Sequence, residues 1–498
     1  MRQFEINVPD KEHSLLEHFR EAGVFIPAYC GGKGSCGKCR VRFLEKAPPS
    51  GEVERKLFSD REIENGWRLA CLAHVSGRLF LELADYDEEN IAASAEFQIG
   101  PEQDEKQNAG AQKNEKDTYA VAVDLGTTTI AAALVNRKKG RVEKVFTCVN
   151  HQRAFGADVI TRMDASNKGK GQEMQASVRK DLSLLCEKMG LGEDVFQVPV
   201  PVILSGNTTM EHLLQGLSCE GLGLFPFTPV DISMHSYKNM LILPGISAYV
   251  GADIVSGVVA CGIDQREEIS ILVDLGTNGE MIIGNKHKIL AASTAAGPAF
   301  EGGNIGCGVA GVPGAIDTVV VEEGKTSITT IGGKPPVGIC GTGVVEIVYE
   351  LVKEGIVDET GLMDEKYFET GYPLAENIFF SPKDVREVQL AKSAIRAGIE
   401  VLLACYGVGY SQIDRLYLAG GFGQKMNCRK AVGIGMLPEE LEERIIAVGN
   451  SSLEGANMLA MDITLKERFV HVAKKAEEVT LSAHERFNDL YMEHMFFE

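Results

Sequence analysis

The feature that most constrains the fold is a strand-and-turn pattern that occurs twice after the first quarter of the chain. An apolar run ends in DLGTTT at residues 124–129, and a second one ends in DLGTNGE at residues 274–280. Each copy is followed by a further apolar run that ends in a turn, at residues 205–209 and 419–423. Apolar β-branched runs that alternate with helical stretches are typical of α/β architecture. The repetition predicts two related halves that face each other across a cleft.

Four of the 12 cysteines lie near the start of the chain and follow the pattern C-x5-C-x2-C-x31-C. They are Cys30, Cys36, Cys39 and Cys71, and glycines fill the loop that joins the first three. Glycines let a tight loop wrap an inorganic cluster and turn backbone amides toward its sulfurs. The spacing predicts a [2Fe-2S] cluster and resembles that of the adrenodoxin-like ferredoxins, being one residue longer than the plant-type spacing.

A zinc site with four thiolate ligands is the alternative for these cysteines. Such sites more often use two C-x2-C pairs, whereas Cys71 stands alone in the sequence. The remaining eight cysteines show no ligand spacing, and we expect buried thiols there.

Composition divides the chain into segments. Residues 98–117 are rich in Gln, Asn, Glu, Lys and Gly and almost lack apolar side chains, which predicts a linker. We therefore predict a small α+β domain at residues 1–86, a flexible linker at 87–118, and the two α/β halves at 119–265 and 266–498.

The turns after the repeated strands suit nucleotide chemistry. A carboxylate at a strand end holds Mg²⁺ through water, while an open glycine turn directs amides and hydroxyls at phosphate oxygens. One such turn can be a simple strand cap, but two copies in a repeated unit favour a site for ATP and Mg²⁺. The predicted ligands are Asp124, Gly126, Thr127, Thr128, Thr129, Asn207, Asp274, Gly276, Thr277, Asn278 and Gly279.

Two later segments are candidates for binding the purine. The turn that contains Gly420, Gly421 and Gly423 lacks the sequence context of a dinucleotide site, so we do not predict NAD binding there. Its backbone, free of side chains, suits a flat adenine and ribose. A helix that begins at Ser381-Pro382 carries Lys392, Ser393 and Arg396. These three side chains either clamp the purine or are solvated helix positions.

Glu301 and Glu280 are the predicted catalytic carboxylates. Glu301 lies in the glycine-flanked segment 295–303, which is either a plain surface loop or a loop that positions water and responds to the nucleotide.

The charge of the chain excludes some partners. A formal net charge of −20 makes nucleic acid or an anionic membrane a poor partner for the chain as a whole. The first residues show no signal sequence, and an apolar run of about 18 residues, as a membrane span requires, is absent from the sequence. We therefore expect a cytoplasmic protein whose cysteines stay reduced.

Taken together, these motifs resemble the ATP-dependent reductive activators of corrinoid proteins, which serve methyltransferase systems of anaerobes. The resemblance extends from the Cys30 loop through both halves, and includes FGADVI at 155–160, GADI at 251–254 and GNSSLEGA at 449–456. It implies a β-grasp [2Fe-2S] ferredoxin domain followed by a duplicated α/β actin-like (ribonuclease-H-like) ATPase domain.

The resemblance also implies a function. A corrinoid methyl carrier must hold Co(I) to accept a methyl group, and oxidation to Co(II) inactivates it. The activator returns one electron from its [2Fe-2S] cluster, which an upstream donor reduces, while the actin-like domain binds ATP and the corrinoid protein. The oligomeric state is left undecided, with a homodimer as one alternative. Two other functions also remain alternatives: an ATP-gated electron donor to a radical dehydratase, and a chaperone-like remodeller of a metalloprotein.

Overall fold

A computed structural model of the chain describes residues 2–83, 118–276, 278–421, 423 and 425–497. The predicted linker at 87–118 lies outside these residues except for Thr118, and so do residues 84–86 of the predicted first domain. In the described ranges, none of the helices combines the length and the apolar character that crossing a bilayer requires.

The strands are β1 (Arg2–Val8), β2 (Arg40–Phe43), β3 (Trp67–Leu69), β4 (Gly77–Leu83), β5 (Tyr119–Leu125), β6 (Thr129–Asn136), β7 (Arg141–Val149), β8 (Val202–Gly206), β9 (His235–Tyr237), β10 (Met240–Ile242), β11 (Ile269–Leu275), β12 (Gly279–Gly284), β13 (Ile289–Thr294), β14 (Ala315–Glu322), β15 (Lys325–Thr330), β16 (Gly338–Ile339), β17 (Tyr372–Ala375), β18 (Ile378–Phe380), β19 (Ile413–Ala419), β20 (Ile445–Gly449) and β21 (Ala476–Glu478).

The α-helices are α1 (Leu15–Glu21), α2 (Glu52–Leu57), α3 (Asp60–Glu64), α4 (Val159–Ala165), α5 (Gly171–Lys188), α6 (Thr208–Gln215), α7 (Glu220–Gly223), α8 (Ala252–Cys261), α9 (Gly341–Lys353), α10 (Pro382–Tyr406), α11 (Cys428–Gly433), α12 (Ser451–Met461), α13 (Lys466–Lys475) and α14 (Phe487–Glu493).

The N-terminal unit is a four-stranded antiparallel sheet in the order β1-β4-β2-β3, with α1 packed on it. A capping box between Ser14 and Glu17 starts α1, because each residue's side chain accepts the other's backbone N–H. Leu15, Leu16 and Phe19 then bury the inner face of α1 in the core of this unit. The predicted α+β domain is therefore present.

The two halves of the ATPase-like part contain the same sheet. The first sheet has the order β7-β6-β5-β8-β10 with β9 added at the end, and the second has β13-β12-β11-β19-β20 with β21 added at the opposite edge. In both, the first strand pairs antiparallel with the next one and parallel with a later one. The predicted duplication is thus visible strand by strand, and it places the ends of β5, β8, β11, β19 and β20 around one cleft.

Helices α8 and α12 lie between the two sheets and share one apolar core with them. They cross in close contact: a Cβ atom on Gly455 of α12 would lie 2.5 Å from the carbonyl oxygen of Ser256 on α8. The Ser256 hydroxyl in turn bonds to that of Ser205, 2.9 Å away at the end of β8. The packing of the two helices at this crossing is therefore coupled, through Ser256 and Ser205, to the residues of the cleft.

The N-terminal unit docks on the first half. The guanidinium of Arg20 donates a hydrogen bond to the carbonyl of Ala154 and lies 4.7 Å from the centre of the Phe155 ring. Phe25 packs beside Phe155 and His151, with ring centres 6.5 and 5.8 Å away. An arginine over an aromatic face and a pair of packed rings each add favourable contact energy, so the docking has a defined geometry.

The helix crossing yields a testable expectation. Gly455→Ala forces atoms apart in a packed interior, which typically costs about 1–3 kcal/mol. We expect a lower urea midpoint for unfolding of the two halves. We also expect weaker nucleotide binding, because Ser256 is hydrogen-bonded to Ser205 at the edge of the cleft.

Gly223→Ala is the matched control, because a Cβ atom there meets no other atom within 4 Å. If urea unfolding and nucleotide titration gave the same values for both variants, the crossing would not control the cleft.

Candidate cluster site and nucleotide cleft

The four N-terminal cysteines converge. The thiol of Cys36 hydrogen-bonds to Cys30 and lowers the pKa of Cys30, and backbone amides of Cys36, Ser35 and Gly32 act in the same direction. Cys71 hydrogen-bonds to Cys39 and likewise lowers the pKa of Cys39. Four sulfurs in two adjoining pairs, with amides pointing at them, are a donor set that fits a [2Fe-2S] cluster.

The loop between these cysteines depends on glycine. Gly31 and Gly34 have φ values of 66° and 77°, a conformation that side chains disfavour. A Cβ atom on Gly31 would also come within 3.0 Å of the carbonyl oxygen of Phe155. The loop therefore needs glycine for its own shape and for its contact with the first half.

The cysteine loop lies against the ATPase-like halves. The carbonyl of Tyr29, next to Cys30, accepts a hydrogen bond of 3.0 Å from the amide of Ala157. Burial lowers the pKa of Lys38, while the charges of Cys36 and, more weakly, Asp384 on α10 act in the opposite direction. The loop thus contacts the first half and approaches the second.

A cleft of about 240 Å³ lies between the two halves. Of the predicted nucleotide residues, its lining contains Asp124, Gly126, Thr127, Thr128, Thr129, Asn207, Asp274, Gly276, Asn278, Gly420 and Gly421, together with Glu280 and Glu301. The structure therefore brings both repeated turns and both predicted catalytic carboxylates to one place. Thr277 lies outside the described residues.

Asp124 is held by the opposite half. Asn450 Nδ2 donates to one of its carboxylate oxygens at 2.8 Å, and Ser452 Oγ donates to the other at 2.7 Å. Ser452 Oγ also lies 3.0 Å from Ser205 Oγ. Sequence reasoning did not assign a role to Asn450 or Ser452, although the Asn-Ser-Ser start of α12 after the Gly449 turn is a helix-capping signal that could have drawn attention to them.

Asn207 connects two predicted phosphate turns. Its Oδ1 accepts the amide of Met210 and so caps α6, while its Nδ2 donates to Thr127 Oγ1 at 2.9 Å. Gly251 must be glycine for this turn to fit, because a Cβ atom there would lie 2.6 Å from the Asn207 Cα atom. The two turns therefore hold each other in place.

Carboxylates crowd the cleft: Glu280 is buried, and Asp124, Asp253 and Asp274 are half-buried. Burial raises the pKa of Asp274 to about 8, and the charges of Asp253 and Asp124 add to the effect. Burial also raises the pKa of Asp253 to about 7, with a contribution from Asp124, and raises that of Glu280 well above its ordinary value. Asp253 was not among the predicted ligands, although it follows a glycine turn at the start of α8. Oxygen ligands with mutually repelling charges are what Mg²⁺ neutralises, so these residues fit a magnesium site.

Glu301 reaches from the second half to the first. It ends a short 3-10 turn after β13, and its Oε2 accepts a hydrogen bond of 2.9 Å from Thr128 Oγ1. The segment around it is not a plain surface loop, because the neighbouring Phe300 is only 3% exposed. Glu301 thus links the segment after β13 to a predicted phosphate turn.

Two predicted glycines lie behind the lining. A Cβ atom on Gly279 would lie 3.1 Å from Thr294 Cγ2, and one on Gly423 would lie 2.7 Å from the Ala419 carbonyl oxygen. Both are buried, and neither lines the cleft. Close packing accounts for the absence of a side chain there.

Both interpretations of the α10 residues need correction. Lys392 Nζ donates to the carbonyls of His494 and Phe496, each at 2.6 Å. Ser393 Oγ donates to the Gln389 carbonyl one turn earlier, at 2.7 Å. Arg396 is buried and bonds to Glu400 at 3.0 Å. These side chains hold the C-terminal segment and the core of α10, and the structure places none of them in the cleft lining or in solvent.

Comparison with known proteins accounts for most of the chain. Residues 2–76 match the 2Fe-2S iron-sulfur cluster binding domain, 119–266 match the RACo middle region, and 268–498 match the C-terminal domain of RACo, the ASKHA domain. A solved structure named reductive activator for corrinoid, iron-sulfur protein superposes with a TM-score of 0.70 at 27% identity, covering 98% of this chain and 96% of that one. The predicted fold class is confirmed.

Two curated relatives are similar over most of their length. The corrinoid activation enzyme RamQ of Eubacterium limosum is 29% identical over 430 residues, which are 78% of this chain and 72% of that protein. The [Co(II) methylated amine-specific corrinoid protein] reductase of Methanosarcina barkeri is 28% identical over 422 residues, 75% of this chain and 76% of that protein. With a ferredoxin-type, a middle and an ASKHA domain in succession, this chain belongs to the family of ATP-dependent reductive activators of corrinoid proteins.

Proposed function

We propose that this protein reduces an inactive corrinoid protein from Co(II) to Co(I) in a reaction that depends on ATP. The observation that carries the proposal is the position of the cysteine loop, which docks on the first of the two halves that form the nucleotide cleft. The named activities of the relatives, corrinoid activation and Co(II) corrinoid protein reduction, support the choice of acceptor.

The cysteine loop is proposed to hold the electron-transfer group through Cys30, Cys36, Cys39 and Cys71. When bound there, a [2Fe-2S] cluster supplies the single electron that cobalt gains, and an upstream donor replaces it. Amides of the loop stabilise negative charge on the sulfurs and thereby influence the reduction potential. Burial of Cys39 and Cys71 keeps water from that side of the site.

The cleft is proposed to bind ATP with Mg²⁺. Backbone amides and hydroxyls of the turns at 126–129 and 276–279 would contact phosphate oxygens, and Asp124, Asp253 and Asp274 would face the cation. Gly420 and Gly421 leave open backbone at one wall of the cleft, which suits a flat adenine. Glu280 and Glu301 are the proposed catalytic carboxylates. Comparing the ATP hydrolysis rates of a Glu280 variant and a Glu301 variant would identify which of them positions the attacking water.

ATP binding can promote reduction only if it favours a complex in which electron transfer is easier. Glu301 is placed for this role because it bonds to Thr128 of the phosphate turn and belongs to the second half. A nucleotide that displaced this bond would change the segment after β13, and that segment is the proposed contact with the corrinoid protein.

The function is tested by anaerobic activation of a Co(II) corrinoid protein with a chemical reductant and ATP. Cys36→Ser removes one cluster ligand, so we expect loss of the two-iron absorption and of Co(I) formation. Cys405→Ser is the control, because that cysteine lies on α10, outside the cysteine loop. Full ATP-dependent activation by the cluster-free variant would favour the chaperone-like function.

Glu301→Ala should uncouple ATP hydrolysis from activation. Coupling between two sites is typically worth about 5–150-fold, so we expect activation to fall within that range while ATP hydrolysis falls less. Glu322→Ala, at the exposed end of β14, is the matched control. Activation at the wild-type rate in Glu301→Ala would remove this assignment.

The raised pKa values give a pH dependence with a defined sign. In the metal-free protein Asp253 and Asp274 keep protons up to about pH 7 and 8, whereas an unfolded aspartate loses its proton near pH 3.9. The folded state then binds more protons over this interval, so the free energy of unfolding decreases as the pH rises from about 4 to 8. Because Mg²⁺ needs ionised carboxylates, affinity for Mg²⁺ with nucleotide should rise over about pH 6–8.5, with proton release.

Calorimetric titration in two buffers of different ionisation enthalpy measures these protons. Asp274→Asn should release fewer protons and flatten the upper part of the pH dependence. Equal proton release by the wild type and the variant would contradict the assignment of Asp274.

A further inference from the structure

Three side chains before and within α1 form a cluster that the cysteine site and the cleft do not use. Asp10, His13 and His18 each place one potential ligand atom within 4.8 Å of the others. Asp10 Oδ1 lies 3.4 Å from His13 Nδ1 and 3.7 Å from His18 Nε2. The backbone amides of Glu12 and His13 donate to the same oxygen at 2.9 and 3.2 Å, which fixes the aspartate in its turn.

His18 provides an independent observation. Its side chain is only 3% exposed, and neither ring nitrogen has a hydrogen-bond partner among the described residues. Buried polar groups normally have partners, because leaving one unsatisfied costs about 1–3 kcal/mol. A buried imidazole with its Nε2 turned toward Asp10 is therefore placed to bind something that the protein atoms do not supply.

The spacing fits a small transition-metal ion. Bonds of about 2.0–2.1 Å to nitrogen and oxygen in a tetrahedral site place neighbouring ligand atoms roughly 3.3–3.4 Å apart. The nitrogen-to-oxygen distances of 3.4 and 3.7 Å are close to this value, and all three ligand atoms lie within 4.8 Å of one another. A modest movement of the exposed His13 ring toward His18 would complete the set. Two imidazoles and one carboxylate favour Zn²⁺ or a similar cation over Ca²⁺ and Mg²⁺, which prefer oxygen.

The other face of the His18 ring supports the same conclusion. Glu21 Oε2 lies 3.5 Å from His18 Nδ1, the nitrogen that does not face Asp10. Metal-binding histidines usually direct their second nitrogen at a carboxylate or carbonyl, which fixes the tautomer and strengthens the ligand. Glu21, His18 and the proposed metal position follow one another in this order, so Glu21 would be the carboxylate behind the ligand.

We propose that Asp10, His13 and His18 bind one divalent transition cation of the Zn²⁺ class, separate from the four-cysteine site. The cation stabilises the frame of the cysteine site, because α1 is bonded to the segment around Cys71. The amides of Leu15 and Leu16 donate to the carbonyls of Ala73 and Ala70, at 2.8 and 3.0 Å. The site does not depend on the proposed function.

The test uses the full-length, cluster-loaded, nucleotide-free protein. Zinc is added anaerobically, the affinity is measured against a chromophoric chelator, and zinc and iron are counted per chain. We expect one tightly held zinc in addition to an unchanged iron content. X-ray absorption at the zinc edge should show nitrogen and oxygen ligands without sulfur.

Variants identify the ligands. Asp10→Asn changes a half-buried side chain and His13→Ala an exposed one. Each should weaken zinc binding more than tenfold while the cluster absorption stays the same. Glu21→Gln should weaken it by about 10–100-fold, as loss of a carboxylate behind a ligand does. His287→Ala is the control, because His287 pairs with Glu267 at 2.9 Å but belongs to no group of three potential ligands among the described residues. This variant should bind zinc as the wild type does.

Three results would overturn the proposal. They are absence of a retained zinc, equal zinc affinity in Asp10→Asn and the wild type, and zinc that enters only as iron is lost with sulfur in its coordination shell. The last result would place the metal at the cysteines instead.

Discussion

The hydrogen bonds that Asn450 and Ser452 make to Asp124 are the interaction on which the cleft depends. They join the two halves through one half-buried carboxylate, at 2.8 and 2.7 Å. Unpaired, that carboxylate would be costly to bury, so the halves stabilise each other's position only while both partners are in place. The hydroxyls of Ser205 and Ser256 continue the network to the crossing of α8 and α12. Packing between the helices and polar order in the cleft therefore depend on each other.

The carboxylates that crowd the cleft explain why it suits a nucleotide that carries a metal ion. Asp124, Asp253, Asp274 and Glu280 all have pKa values raised mainly by burial. Without a cation, proteins keep such groups partly protonated rather than hold several negative charges together. A nucleotide with its metal ion replaces those protons, and the binding energy then acts on residues of both halves at once.

Much of this arrangement follows from local sequence patterns. The repeated DLGT turns predicted both the duplication and the position of Asp124 and Asp274, because a strand end and a glycine turn fix where the carboxylate lies. The cysteine spacing predicted the convergence of Cys30 with Cys36. Lys392 was predicted wrongly because its partners are the carbonyls of His494 and Phe496, about a hundred positions away, and helix periodicity carries no information on such contacts. Asn450 was missed for the same reason: its cap signal is local, but its bond to Asp124 spans the whole domain.

The docking of the N-terminal unit has a consequence for selectivity. Gly31 lies against Phe155, and Tyr29 is bonded to Ala157, so one side of the cysteine loop faces protein instead of solvent. A cluster held by this loop would be shielded from solvent on that side only. An acceptor would therefore approach from the partly exposed side of Cys30 and Cys36, and a partner whose surface fits that opening would be favoured over one that does not fit.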